Sequence, residues 1–145
     1  MAVFKVGDRI EVCSKEQGFI GSYYEATIVS KLSDGSYRVR YKNLVEENDH
    51  SRLLIEQVSS DEVRPMPPRI IEGKGTQFYS VLDKVDAFDN DGWWVGIVTG
   101  KDDFKYWVYF ETTGDHIAYP VSRLRKHLEW SNNGFWVLPK KSLLS

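Results

Sequence analysis

Cysteine is almost absent from this sequence. The single Cys13 excludes a disulfide within the chain and any structural zinc site built on several thiolates, and it points to a reducing compartment. The three histidines, His50, His116 and His127, are scattered without metal-ligand spacing. No apolar run approaches the roughly 18 residues of a membrane span. Met1-Ala2-Val3-Phe4-Lys5 lacks the apolar core of a signal peptide, so a soluble, intracellular chain is expected. Neither sign of charge prevails: 19 Lys and Arg face 21 Asp and Glu, for a formal net charge of −2. Nothing in that balance demands a nucleic-acid or anionic-membrane partner. A phosphate-cradling glycine loop, a nucleophile elbow and a metalloprotease helix are all missing. The expectation is a protein that is not an enzyme and needs no cofactor, membrane or small-molecule substrate.

Aromatic residues are what the chain has in plenty: 14%, with five Trp and eight Tyr, more than two small cores require. They concentrate in a duplicated stretch. Asn90-Asp91-Gly92-Trp93-Trp94-Val95-Gly96-Ile97-Val98 echoes Ile20-Gly21-Ser22-Tyr23-Tyr24-Glu25-Ala26-Thr27-Ile28-Val29. Each has a paired aromatic, a one-residue spacer, a small residue and then a β-branched run. The correspondence continues on both sides. Asp83-Lys84-Val85-Asp86-Ala87-Phe88 matches Asp8-Arg9-Ile10-Glu11-Val12-Cys13, and Trp107-Val108-Tyr109-Phe110 matches Arg38-Val39-Arg40-Tyr41. Val121-Ser122-Arg123-Leu124-Arg125 matches Ser60-Asp61-Glu62-Val63-Arg64. The offset is about 70 positions, and length changes fall in loops.

Within each repeat the hydrophobic period is two. Ile10 and Val12 alternate with charged residues, as do Tyr37, Val39 and Tyr41, so both stretches read as half-buried strands. Tyr24, Ala26 and Ile28 share one face of the strand between them. Asp34-Gly35 is a hairpin signal. Leu53 to Val58 suits a fourth strand, and Ser60 to Pro65 a short strand or 3₁₀ turn closed by proline. The fold class read from this pattern is all-β: two tandem small β-barrels of four or five strands, packed together. The expected boundaries are 1–68 for the first barrel, 69–77 for a proline- and glycine-bearing linker, and 78–127 for the second. Residues 128–145, with Leu128, Trp130, Phe135, Trp136 and Leu138, are expected to form a strap lying back on the pair.

At this level of detail the chain resembles a known family. Val6-Gly7-Asp8-Arg9-Ile10-Glu11-Val12, Gly18-Phe19-Ile20-Gly21-Ser22-Tyr23-Tyr24-Glu25-Ala26, Arg40-Tyr41 and Val63-Arg64-Pro65 resemble the first half of a plant tandem Agenet module. Val85-Asp86-Ala87-Phe88, Asn90 to Gly96, Val108-Tyr109-Phe110 and Leu124-Arg125 resemble the second half, and Glu129-Trp130 through Gly134-Phe135-Trp136 the usual trailing segment. The resemblance implies bent five-stranded barrels of the Tudor-like (SH3-like) Royal superfamily, which bind methylated lysine or arginine in aromatic cages. It further implies a nuclear, chromatin-bound reader of heterochromatin and gene silencing. Its partner would be the methylated N-terminal tail of histone H3, with lysine nine methylated and lysine four unmodified.

A methylammonium keeps its charge but has few protons to donate, so aromatic faces suit it, at roughly 0.5–2 kcal/mol per well-placed ring. Family cage positions carried over one by one give Phe88, Trp94 and Phe110 in the second unit. In the first they give Cys13, Tyr24 and Tyr41, with Tyr23 or Phe19 available as the missing wall. Ring count favours the second unit. Glu46, Glu47 and Asp49, with Asp89, Asp91, Glu111 and Asp115, are candidates for an acidic rim that attracts a basic peptide. Three plainer readings stand beside this one. Tyr24 and Trp94 share faces with Ala26, Ile28, Gly96 and Val98 and could simply plug their barrels, and the acidic loops could be merely solvated. Trp93 and Tyr23 face away from their neighbours and suit an inter-unit interface as well as a cage. Two other functions compete: single-stranded nucleic acid or RNA stacked on the aromatic strands, with Arg64, Arg69, Arg123, Arg125 and Lys126 on phosphate, and self-association through the apolar tail.

Overall fold

Two-residue alternation of burial is clearest in Ser22–Lys31, Tyr37–Val45 and Lys105–Tyr109. The structure, a computed structural model, describes residues 3–68 and 79–139; the expected linker 69–77, with Arg69, lies outside the described residues. Among the described residues, one compact unit runs through Met66 and also takes in Asn90–Gly92, and the remainder forms a second.

The first unit is built from β1 (Arg9–Val12), β2 (Ser22–Lys31), β3 (Tyr37–Val45), β4 (Leu53–Val58) and β5 (Val63–Pro65). Their order is β4-β3-β2-β1-β5, and neighbouring strands run antiparallel. A 3₁₀ turn, Ser60–Glu62, leads into β5, so the stretch read as either strand or 3₁₀ turn is both in succession. The ten-residue β2 pairs with β1 through Tyr24–Thr27 and with β3 from Ala26 onward, bending at a bulge between Ile28 and Ser30; such a bulge sharpens the twist. Inward positions of β1, β2 and β3 fill the core: Ile10, Val12, Tyr24, Ala26, Ile28, Tyr37, Val39 and Tyr41 are all buried. At the β2–β3 turn only Gly35 takes the left-handed conformation, at φ 88°. Asp34 instead accepts hydrogen bonds from the Ser36 amide and hydroxyl.

The second unit repeats the plan with β6 (Lys84–Asp89), β7 (Gly92–Asp102), β8 (Lys105–Tyr109), β9 (His116–Pro120) and β10 (Leu124–Lys126), in the order β9-β8-β7-β6-β10. A 3₁₀ turn, Val121–Arg123, again precedes the closing strand. Asn90 and Asp91 join β6 to β7 with φ of 49° and 66°, the two successive positive angles of a tight hairpin turn. Tyr79, Val85, Ala87, Val98, Tyr106, Val108, Phe110, Tyr119 and Leu124 form its core, with Trp94 and Val121 packed against them. The small residue of the duplicated stretch now has a reason. A Cβ on Gly96 would come within 2.3 Å of Val108 Cγ1 and 3.1 Å of the Phe110 ring.

After β10 the chain enters the segment expected to form a strap, of which 140–145 lie outside the described residues. His127 and Leu128 are buried, but β11 (Glu129–Trp130) and β12 (Trp136–Val137) then pair with each other, Trp130 opposite Trp136. Their rings lie 5.0 Å apart between centroids. Phe135 and Leu138 are 66% and 62% exposed, and Leu138 lines a cavity with Leu82, Lys84 and His127. A hairpin this short seats one cross-strand pair and leaves its turn residues in water.

Candidate functional site

Strand parity sorts the paired aromatics onto two faces. Tyr23 leads outward from β2, where Arg64 of β5 holds its guanidinium carbon 3.5 Å from the ring centroid. Arg64 is fixed there by Glu11, whose Oε1 accepts from Nε at 3.0 Å and from Nη2 at 2.7 Å. Both Glu11 and Arg64 are buried. The second unit reproduces the arrangement. Asp86 Oδ2 accepts from Arg125 Nε at 2.8 Å, and Arg125 lies 4.2 Å from the Trp93 centroid. Asp86 has a further partner, His127 Nδ1, at 2.7 Å from its Oδ1. In each unit the first ring of the pair therefore already faces a cation of its own unit.

This sorting moves two of the expected cage walls. Phe88 follows Asp86 on the outer face of β6, since Val85 and Ala87 take the inner one, and it packs edge-to-face on Trp93 at 5.2 Å. The ring count that favours the second unit relies on Phe88, and Phe88 stands with Trp93 instead of Trp94. Tyr23 is likewise on the Arg64 side. Cys13 belongs there too: burial raises its thiol pKa, while the neighbouring Arg64 charge lowers it.

The inner rings meet in two clusters. In the first unit Phe19, Tyr24 and Tyr41 stand in sequence. Phe19 and Tyr24 are 6.3 Å apart at 65°, and Tyr24 and Tyr41 6.4 Å apart at 89°. Phe19 comes from the β1–β2 loop, between Gly18 and Gly21 with φ of 91° and 83°, and its carbonyl accepts the Ser22 amide at 3.1 Å. That loop leaves Phe19 44% exposed, with Tyr24 and Tyr41 beneath it. The Tyr41 hydroxyl donates to Glu56 Oε1 at 2.9 Å. Burial, then the Glu56 carboxylate, then Glu62 and Glu16 push its pKa well above the usual tyrosine range. Tyr24 is raised as well, by burial and then by Asp91, and its hydroxyl donates to the Asn90 carbonyl at 3.3 Å.

In the second unit Trp94 packs on the core that holds Phe110 and Tyr119. Its indole N–H donates to the Asp89 carbonyl at 2.9 Å. Phe110 and Tyr119 are 6.0 Å apart at 85°, and the Tyr119 hydroxyl donates to Asp89 Oδ2 at 2.7 Å. Burial first, and then Asp89, raise the Tyr119 pKa far above its ordinary value. Glu56, Phe19 and Tyr119 are the members that family positions do not supply. Phe19 is the spare wall of the sequence reading, but nothing in the linear spacing marks Glu56 or Tyr119.

The acidic residues divide by role. Asp89 is taken up by Tyr119, and Asp91 sits in the turn and acts on Tyr24. Asp49 accepts the Ser51 amide and hydroxyl and faces Arg52 at 3.8 Å, so it serves its own turn. Glu46 is half-buried and Glu47 exposed after β3; Glu111 and Asp115 are exposed after β8. Among the described residues no group of three or more His, Cys, Asp or Glu could hold a metal. Arg64 and Arg125, candidates for phosphate contact, are engaged by buried carboxylates.

Two barrels repeated in tandem, each with a buried carboxylate–arginine pair beneath an aromatic ring, find close counterparts among known proteins. The family model described as the Agenet domain matches residues 7–68. The crystal structure of Arabidopsis thaliana AGDP1 AGD34 superposes with a TM-score of 0.84 at 34% identity, covering 94% of this chain and 90% of that one. The chain belongs to the Agenet family. The structure of ADCP1 tandem Agenet domain 3-4 is similar at TM-score 0.80 and 30% identity, over 94% of this chain and 89% of that one. The fold is accordingly an all-β tandem of Tudor-like Agenet barrels, a class of binding module. Among curated relatives, the Arabidopsis thaliana DUF724 domain-containing protein 3 is 37% identical over 135 residues, 90% of this chain. Protein AGENET DOMAIN (AGD)-CONTAINING P1 of the same plant is 34% identical over 141 residues, 93% of the chain. The chain spans only 19% and 27% of the length of these two relatives.

Proposed function

We propose that this Agenet pair is a non-catalytic, nuclear chromatin reader, and that its ligand is a methylated lysine in the N-terminal tail of histone H3. The family resemblance suggests lysine nine, with lysine four unmodified. The observation that carries the reading is the Phe19–Tyr24–Tyr41 group, three rings set at steep angles, with the Glu56 carboxylate on the Tyr41 hydroxyl. Steeply inclined rings surround a cation, and each is worth roughly 0.5–2 kcal/mol to it. The negative field of Glu56, Glu16, Glu62 and Asp91 favours a cationic guest, and Glu56 is placed to accept an N–H from a lower methyl state. The faces of Tyr23 and Trp93, by contrast, already carry arginines. Glu46 and Glu47 remain as carboxylates for the basic residues flanking the lysine.

Calorimetric titration with dimethylated and unmodified histone peptides tests this. Methylation should strengthen binding by tenfold or more, about 1.4 kcal/mol. A preference under about twofold, roughly 0.4 kcal/mol, would remove the cage from consideration. Tyr24→Ala, shown by circular dichroism to remain folded, should abolish the preference, and Trp94→Ala should preserve it. The reverse result would move the cage to the second unit, around Trp94, Phe110 and Tyr119.

A further inference from the structure

The outer face of the first barrel carries cations that the ring cluster does not use. Cross-strand partners in an antiparallel sheet point to the same side. The register places Arg9 of β1 beside Thr27 of β2, Thr27 beside Arg40 of β3, and Arg40 beside Ile55 of β4. The neighbouring rung is Ser30, Arg38 and Gln57. Lys42, two residues beyond Arg40 on β3, faces the same way. Apart from the mutually neutralised Glu11 and Arg64, four cations thus share one sheet face with a single counter-charge. That charge is Glu25, which meets Arg9 at 2.8 Å and Lys42 at 3.5 Å. Arg38 and Arg40 are exposed, and neither belongs to the ion pairs formed among the described residues. The positions equivalent to Arg38 and Arg40 in the second unit are Trp107 and Tyr109, so these two charges sit on one copy only, while the Arg9 position keeps a cation, Lys84. A net charge of −2 offers no hint of a polyanionic partner, but net charge says nothing of where the charges lie.

We propose that this face, Arg9, Arg38, Arg40 and Lys42, docks on the phosphate backbone of double-stranded DNA. Residues two apart on a strand are roughly 7 Å apart, and neighbouring strands about 4.8 Å, so the cations form a two-dimensional array on a sheet surface. A rod with one charge per ~1.7 Å of axis matches such an array, and three of the four cations are arginines, whose planar forks fit phosphate oxygens. Thr27, Ser30 and Gln57 supply neutral donors of the kind that accompany backbone contacts. No ring belongs to these two rungs, and Tyr23, which points outward from the same strand as Thr27, is covered by Arg64, so the face offers no free stacking platform for unpaired bases. The interaction is therefore duplex-directed, independent of sequence and sensitive to salt. It is separate from methyl-lysine reading and does not depend on it.

Fluorescence anisotropy with a labelled mixed-sequence duplex, across a range of salt concentrations, tests the assignment. The intact chain should bind, and Arg38→Ala with Arg40→Ala should weaken binding about tenfold. The salt slope should fall by roughly 2, at about 0.9 for each phosphate no longer neutralised. The double lysine variant, Arg38→Lys with Arg40→Lys, should retain most of the affinity. Lys105→Ala in the second unit should leave it unchanged, and the alanine pair should keep its thermal melt and its histone-peptide affinity. Absence of duplex binding near physiological salt would overturn the proposal, as would an unchanged slope in the alanine pair. So would preference for the matching single strand, or equally tight binding of a polyglutamate peptide, which would make the partner an acidic protein.

Discussion

Arg64 holds its guanidinium carbon 3.5 Å from the centre of the Tyr23 ring while both its Nε and Nη2 donate to Glu11. Glu11 is fully buried and Arg64 only 5% exposed, so each charge depends on the other for its place in the barrel. A pair of this kind adds little over a well-packed apolar substitute, but removing one partner strands the other. Arg64→Ala should therefore destabilise the first unit by about 3–5 kcal/mol, read from urea unfolding followed by circular dichroism. Joint replacement, Glu11→Gln with Arg64→Met, should recover much of that loss. A single-variant cost under about 1 kcal/mol would show that Glu11 stays solvated. Arg125→Ala should cost less, because Asp86 keeps His127 at 2.7 Å.

Gly96 is fixed by space. A methyl group there would press on Val108 Cγ1 at 2.3 Å and on the Tyr109 carbonyl oxygen at 3.0 Å, and the latter is backbone that cannot turn aside. Gly96→Ala should cost about 1–3 kcal/mol through overpacking. Gly100, on the same strand, has nothing within 4 Å of an added Cβ, and Gly100→Ala should stay within about 0.5 kcal/mol of the parent. Thermal melts of the two variants make the comparison, and equal shifts would contradict it.

Tyr41 and Tyr119 predict an alkaline limit to stability. Burial, reinforced by Glu56 and by Asp89 respectively, raises both folded-state pKa values above the ordinary tyrosine value of 10.0. A raised pKa means that the folded chain keeps its proton when the unfolded chain has released it. The stability from these groups is full below about pH 10 and declines as pH climbs past it toward the folded values. Tyrosinate absorbance should show ionisation of these two only as the chain unfolds. Tyr41→Phe should make the alkaline loss shallower, at the expense of the Glu56 hydrogen bond. Simple titration of all eight tyrosines near their ordinary value, in a chain that remains folded, would contradict the placement.

Much of the architecture was legible in the linear pattern. Alternation at Ile10 and Val12, at Tyr24, Ala26 and Ile28, and at Tyr37, Val39 and Tyr41 is a local property. Each set is the inward face of its strand. The parity that separates Trp93 from Trp94 is readable for the same reason. The parity of Phe88 is equally available, since Val85 and Ala87 take the inward positions before it; family position points the other way, and places Phe88 beside Trp94. In the tail, apolar content does not reveal which residues pack on another element and which pair within the segment, as Trp130 and Trp136 do.

What the sequence determined by itself was the class, the repeat and which side of each strand a residue takes, because a period of two is written in neighbouring residues. What only the tertiary structure decided was which side chains meet across strands. Arg64 is 53 positions from Glu11, Glu56 is 15 from Tyr41, and Tyr119 is 30 from Asp89. Register and barrel closure set those encounters, and no local pattern carries them. They gave Tyr23 and Trp93 to arginines, gathered Phe19, Tyr24 and Tyr41 with Glu56, and collected the charges of Arg9, Arg38, Arg40 and Lys42 on one face.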